Sequence, residues 1–285
     1  MFRGRFHVRQ VRSGIVTSKS LSGLRIAVTR PRSGSSEDRL SALLSERGAV
    51  PMHIATTRTA PATDLDPLRE AAMHIAEYDW LVVTSARTVP PLMEALTRAG
   101  VPAEDVRASG VRICAVGPRT GDALSVAGLS PDILPERFVA EGVVKALLEA
   151  TDLEGARILL PRAEEGREVI PAELEAAGAS VDVVPAYRTD GDPEESGRLA
   201  ELVSGGGVDV LTFTAGSAVR SFAMAWGRRG RPLPDGVGVV ALGPATADAL
   251  EEEGLPVHGV ADPHTLEGLV YALENWAETR RSSDA

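Results

Sequence analysis

The feature that most constrains this chain is a phrase written twice. Residues 111–129, VRICAVGPRTGDALSVAGL, and residues 237–255, VGVVALGPATADALEEEGL, agree at ten of nineteen positions, including a Gly-Pro-x-Thr core and a trailing Asp-Ala-Leu. Whatever fold one stretch adopts, the other must approximate. Three further pairs keep the same order. ILLPRAEEGREVIPAELEAAGASVDVVPAYRT (158–189) sets Ile158 against Ile26, Arg162 against Arg30, Gly166 against Gly34, Gly178 against Gly48, and the closing Arg188-Thr189 against Arg58-Thr59. DWLVVTSARTVPPLMEAL (79–96) answers DVLTFTAGSAVRSFAMAW (209–226), and DILPERFVAEGVVKALLEA (132–150) answers HGVADPHTLEGLVYALENW (258–276), both of the latter keeping Glu-Gly before an apolar helix.

Within each half, short β-branched runs alternate with longer amphipathic ones. LRIAVTR (24–30) is brief and apolar and meets a Pro-Ser-Gly turn, after which Leu40, Leu43 and Leu44 recur at helical spacing until Gly48. That is a strand, a loop and a glycine-terminated helix, and VPMHIATTRT (50–59) then reads as a second strand. Continued along the chain, each half reads strand, helix, strand, strand, helix, strand, helix, short strand, helix. This alternation predicts an α/β protein of two doubly wound, flavodoxin-like parallel-sheet domains derived by internal duplication. Ligands of such sheets gather at the carboxyl ends of the strands.

A length of 285 residues suits two domains of this kind, and 44% hydrophobic with 25% charged residues is ordinary for a globular protein. No run approaches the roughly 18 apolar residues that span a bilayer, so a membrane partner is not expected. The formal charge of −10 argues against duplex nucleic acid as the main partner. Small anions remain compatible with it, because helix N-termini and local arginines bind them whatever the overall charge. A single cysteine, Cys114, excludes an intrachain disulfide and lies in an apolar run, which fits a cytoplasmic setting. The basic stretch 1–21 has neither an apolar h-region nor a cleavage site and reads as a disordered leader; residues 278–285 read as a disordered tail.

No motif for a metal or nucleotide is written here. His7, His53, His74, His258 and His264 have no paired spacing, and CxxC, HExxH, P-loop and Gly-x-Gly-x-x-Gly patterns are missing. What the chain offers instead is a set of turns at strand ends: Thr29 to Arg32, Thr84 to Arg87, Gly117 to Thr120, Pro161 to Ala163, Thr214 to Ser217 and Gly243 to Thr246. Each joins small or hydroxylated residues to a helix start, so free backbone N–H groups face outward beside hydroxyls and arginines, an arrangement suited to carboxylates or phosphates. The same residues are also simply a good way to begin a helix, with proline at its first position.

Taken together, the 158–189 stretch, DVLTFTAGSAVRSF, VVALGPATADALEEEGLPV and ADPHTLEGLVYAL resemble the uroporphyrinogen-III synthase family, in the family's order and across nearly all of Leu24–Trp276. The resemblance implies two doubly wound domains joined by a two-stranded antiparallel linker near His53 to Thr59 and Val183 to Thr189, one domain being discontinuous (22–56 plus 190–277) and the other continuous (57–189). It implies no metal and no organic cofactor, a monomer, and as substrate hydroxymethylbilane, an open chain of four pyrroles, with hydroxymethylbilane synthase as a transient partner. In the implied reaction the A-ring hydroxymethyl group loses hydroxide, the substituted D-ring carbon attacks the azafulvene to give a spiro intermediate, and this fragments and recloses with ring D inverted. Unaided substrate closes without inversion, so holding the right conformation is much of the task.

Carried over by motif, the family's tyrosine falls on Tyr187, whose phenol can donate a hydrogen bond to the departing hydroxide at neutral pH. The first arm has Thr57 in its place. Thr120 and Thr246 of the two Gly-Pro-x-Thr turns, with Ser85 and Ser217, fall where the family binds acetate and propionate groups. Ala215 and Gly216 depart from its Ser-Pro-Ser pattern, leaving backbone N–H groups to serve there. Eight substrate carboxylates call for local positive potential, for which Arg30, Arg32, Arg87, Arg119, Arg162 and Arg188 are the candidates, lining a cleft between domains. Two other classes fit the turns alone: a two-domain tetrapyrrole or anion sensor without turnover, and an anion-binding nucleotide-sugar enzyme.

Overall fold

The apolar runs become strands and the amphipathic runs become helices. In the computed structural model, which describes residues 20–31, 39–166, 168–227, 230 and 232–283, the elements are β1 (Arg25–Val28), α1 (Arg39–Glu46), β2 (Val50–His53), β3 (Thr57–Pro61), α2 (Asp66–Met73), β4 (Trp80–Val83), α3 (Val89–Ala99), α4 (Ala103–Ala108), β5 (Arg112–Ala115), α5 (Pro118–Val126), α6 (Ala140–Ala150), β6 (Arg157–Ala163), α7 (Val169–Ala176), β7 (Ser180–Gly191), α8 (Pro193–Ser204), β8 (Val210–Phe213), α9 (Gly216–Gly227), β9 (Gly238–Ala241), α10 (Pro244–Glu252), β10 (Gly259–Val260) and α11 (Leu266–Ser283). They form two compact units. One takes the residues through Thr57 together with those from Gly191 onward, the other Arg58–Asp190.

The first unit's sheet runs β2-β1-β8-β9-β10, every neighbour parallel. Alternation along the strands sends side chains to two separate cores. Ala27, Leu211, Phe213 and Val239 face α8, α9 and α10 and pack with Leu199, Phe222 and Trp226. Ile26, Val28, Val210 and Val240 face α1 and α11 and pack with Leu40, Leu44, Leu269 and Leu273. With both faces covered, the strands must be apolar throughout, which is why they read as continuous runs.

The second unit's sheet runs β3-β7-β6-β4-β5, with β7, β6, β4 and β5 parallel. Ile133 adds an isolated parallel bridge to Cys114 beyond β5. From β7 outward the order β7-β6-β4-β5-Ile133 retraces β2-β1-β8-β9-β10. Leu81, Val83, Ile113 and Leu159 pack toward α2, α3 and α5, and Trp80, Val82, Cys114 and Ile158 toward α6 and α7. Burial pushes the Cys114 thiol up to about 12, so it stays protonated and serves only as a small apolar side chain.

Four details depart from the sequence pattern. The strand predicted through 50–59 is broken: β2 ends at His53, the N–H groups of Ile54 and Thr56 turn to the carbonyls of Val28 and Thr29 (3.0 and 3.1 Å), and β3, the neighbour of β7, starts only at Thr57. A short helix, α4, stands where none is predicted, its first turn carrying Glu104 and Asp105. The C-terminal helix does not stop near Trp276 but continues to Ser283, because Ala277 extends its buried Leu269-Leu273 stripe and Arg280 reaches back over the Trp276 ring at 5.4 Å. Ser20 and Leu21, assigned above to the leader, are buried, with Ser20 Oγ donating to Glu274 at 2.5 Å; the remainder of that leader lies outside the described residues. Among those described, no helix is long and apolar enough to cross a membrane.

The repeated Glu-Gly has a packing cause. A Cβ on Gly142 would collide with the Arg137 carbonyl oxygen, and one on Gly268 with the Pro263 carbonyl oxygen, so in both units the incoming loop lies directly on the first turn of its helix and only glycine fits.

Candidate active site

In each unit the connections at the carboxyl ends of the strands bring the predicted residues to one end of the sheet. At the centre of the first sheet, Thr29 Oγ1 donates to the Thr212 carbonyl and Thr212 Oγ1 to the Ala27 carbonyl, both at 2.7 Å, which locks the ends of β1 and β8 together. Arg30 follows, half-buried, and Ser217 lies half-buried in the first turn of α9. Beside them α10 begins at Pro244 after an extended Gly243, and Thr246 in its first turn is only 5% exposed. Proline suits this start because its missing N–H is one that a helix leaves unbonded anyway.

The second unit repeats the arrangement with more side chains. Ser85 Oγ accepts the Arg87 N–H at 3.2 Å and so caps the turn Ala86–Thr88. Helix α5 begins at Pro118 after an extended Gly117, with Thr120 in its first turn and 4% exposed. Arg119 is exposed. Tyr187 sits on β7 opposite Ala163, where β7 shifts register against β6; its carbonyl accepts the Glu164 N–H at 2.8 Å. The ring is 9% exposed and packs in the cluster holding Val83, Ala115 and Ala186, while among the described residues its hydroxyl has no hydrogen-bond partner. A gripped ring with an uncommitted hydroxyl is well placed to serve something that arrives from outside.

Two of the arginines are already paired. Arg162 has a side chain only 12% exposed, ion-paired with Glu168 and pressed against Gly166. Arg188 pairs with Asp190 at 2.7 Å and donates to Thr63 Oγ1 at 3.2 Å. The Asp190 carboxylate holds the Arg188 guanidinium above its usual range, and Arg188 holds Asp190 below the usual carboxylate range. An incoming carboxylate must compete with Glu168 or Asp190 to reach either one. Arg32 lies outside the described residues.

A hollow of about 510 Å³ lies elsewhere in the second unit, at the amino end of β6 and β7. Several of its polar groups pair with one another: Arg157 with Glu77 at 2.8 Å and Asp182 at 3.5 Å, and the Tyr78 hydroxyl donates to Asp182 at 2.7 Å. The residues singled out from the sequence lie at the other end of the strands. Two side chains there escape the motif reasoning, Phe138 beside Gly117 and His264 beside Gly243; their common distance of 21 residues from the glycine was the signal available in the sequence.

The profile of the family described as uroporphyrinogen-III synthase HemD matches residues 38–271. A uroporphyrinogen-III synthase of Synechococcus elongatus is 30% identical over 271 residues, covering 92% of this chain and 98% of that one. Among solved structures, a mutant uroporphyrinogen III synthase of Thermus thermophilus has TM-score 0.54 and 23% identity, covering 90% of this chain and 100% of that one. The Helicobacter pylori uroporphyrinogen-III synthetase has TM-score 0.53 and 16% identity, covering 87% and 97%. These two share the fold; the profile, spanning most of the chain, carries the kinship. With two parallel sheets, paired Gly-Pro-x-Thr helix starts and that profile in agreement, the chain belongs to the uroporphyrinogen-III synthase family.

Proposed function

We propose that this chain converts hydroxymethylbilane to uroporphyrinogen III, losing water, inverting ring D and closing the macrocycle. The observation that carries the reading is Tyr187: a buried ring on β7 whose hydroxyl has no partner among the described residues, at the end of the sheet where Ser85 and Thr120 also gather. In this reading the phenol passes its proton to the A-ring hydroxyl as the C–O bond breaks, so that water departs, and the phenolate regains the proton that ring D loses on rearomatising after closure. The remaining steps are additions and eliminations within the substrate. They ask the protein for conformation rather than for further acids and bases, and the reading invokes neither metal nor organic cofactor.

Thr120 and Thr246, with the N–H groups of their helix starts, would take acetate and propionate carboxylates, as would Ser85, Ser217, Arg30 and Arg87. Arg162 and Arg188 would contribute by exchanging Glu168 and Asp190 for substrate carboxylates. A cytoplasmic monomer that receives its substrate from hydroxymethylbilane synthase fits this chemistry, since the substrate closes wrongly if left in water. The test is to supply freshly made hydroxymethylbilane, oxidise the products and separate the uroporphyrin isomers. Predominantly isomer III is expected; isomer I alone, as in a protein-free control, would leave a binding module without turnover.

A further inference from the structure

Phe138 follows Gly117 by 21 residues, and His264 follows Gly243 by 21. Each side chain rests on the glycine of a Gly-Pro helix start. A Cβ on Gly117 would stand 3.1 Å from Phe138 Cγ, and one on Gly243 3.5 Å from His264 Cγ. The fold thus builds the same seat twice and fills it differently, with a benzyl group in one unit and, in the other, an imidazole whose Nδ1 lies 2.7 Å from the Ala261 carbonyl oxygen. If the seat merely needed plugging, one kind of side chain would serve both.

Phe138 is 58% exposed, beside Leu134 at 48% and Val139 at 43%. These are not loosely held. Asp132 accepts the Ile113 N–H at 2.7 Å and two bonds from Arg107 at 2.9 and 3.1 Å, Leu134 rests on Gly121, and the Arg137 carbonyl lies on Gly142. Gly117 backs an apolar ring that is more than half exposed, at the start of the helix that carries Thr120. An exposed aromatic held in this way offers a flat apolar surface to solvent.

We propose that Phe138 is a positioning residue whose open face stacks on one pyrrole ring of the tetrapyrrole, with that ring's carboxylates directed to the first turn of α5. The inference deepens the reading given under Proposed function and rests on it. A pyrrole is flat, apolar on its faces and anionic only through its side arms, which matches an aromatic platform beside a helix N-terminus.

The test is anaerobic titration calorimetry of uroporphyrinogen III against the unmodified protein, Phe138→Leu and Phe138→Trp, alongside isomer-resolved rates. Leucine keeps apolar bulk but not the flat face, so binding about five- to tenfold weaker is expected, with KM raised more than kcat is lowered; tryptophan should bind within about twofold of the unmodified protein. Unchanged binding by Phe138→Leu overturns the inference, as does a failure of the unmodified protein to bind uroporphyrinogen III. Isomer III from the unmodified protein with Phe138→Leu unaltered in binding and KM sinks the stacking and leaves the reaction standing. Binding that depends on Phe138 while only isomer I appears supports the stacking and sinks the reaction.

Discussion

The two units share a strand order and a pair of Gly-Pro helix starts, yet matching positions carry different chemistry. Tyr187 answers Thr57, Phe138 answers His264, and Asp132 answers His258. What the halves hold in common is what the backbone requires: Gly142 and Gly268 under a crossing carbonyl, Gly48 and Gly178 at φ 82° and 90°, and Pro118 and Pro244 at a first helical position. What they do not share is free of that demand, and so those positions can carry different chemistry in the two units.

The largest effect is expected at the first of these pairs. Tyr187→Phe removes a hydroxyl with no described partner, so the melting temperature should stay within about 1 °C, while loss of an assisting proton donor should lower the isomer III rate by about 100-fold or more. Binding of uroporphyrinogen III, followed by calorimetry, should persist. Thr57→Val, its counterpart, should leave the rate within about threefold, well below the effect expected of a proton donor. Equal losses at the two positions would mean that the comparison reflects packing, and unchanged turnover in Tyr187→Phe would remove the tyrosine from the mechanism.

Next come the shared glycines. Gly142→Ala and Gly268→Ala each drive a methyl group into a backbone carbonyl and should cost about 1–3 kcal/mol, or several degrees in the thermal midpoint. Gly197→Ala, in the interior of α8 with nothing within 4 Å of the new methyl, should instead stabilise by about 0.5–1 kcal/mol. Scanning calorimetry of the three variants checks both signs. A stable Gly142→Ala would show that the Glu-Gly repeat is inheritance without a packing cause.

Much of the fold was legible because parallel sheets covered on both faces demand continuous apolar strands, and these are visible as IAV, WLVV, VLTF and GVVA. The break at Ile54–Thr56 was not, because it depends on N–H bonds to the end of β1, which a run of β-branched residues does not announce. The extension of α11 was concealed by a polar tail whose anchors, Ala277 and the Arg280–Trp276 contact, are tertiary. The order of the turns placed Ser85, Thr120, Tyr187 and Thr246 at the carboxyl ends of their own sheets, but charge alone could not say which arginines are already paired. The pairing of Arg162 with Glu168 and of Arg188 with Asp190 appears only once the loops are folded. The spacing of Phe138 from Gly117 is visible in the sequence, but its exposure is a property of the folded surface.

The smallest effect separates the units by pH. Asp132 Oδ2 accepts the Ile113 N–H at 2.7 Å, and at the matching place His258 Nδ1 accepts the Val239 N–H at 3.0 Å. A backbone N–H can be accepted only by an unprotonated Nδ1, and burial holds His258 below its ordinary value, so the folded unit resists a proton that the unfolded chain takes up near pH 6.5. The stabilisation is complete above about pH 6.5 and is lost as the pH falls from there toward the folded value. Asp132 is held below the usual carboxylate range by its hydrogen bond from Arg107, against a desolvation cost, so its contribution survives until the pH drops below about 4. Between about pH 6.5 and 5, therefore, the first unit should soften while the second does not, by about 0.5 kcal/mol because His258 is partly exposed to solvent. Amide exchange at Val239, corrected for its intrinsic pH dependence and set against Ile113, reads the difference directly. His258→Asp should flatten it by giving both units the same acceptor, and a Val239 amide equally protected at pH 5 and 7 in the unmodified protein would show that the two acceptors are interchangeable after all.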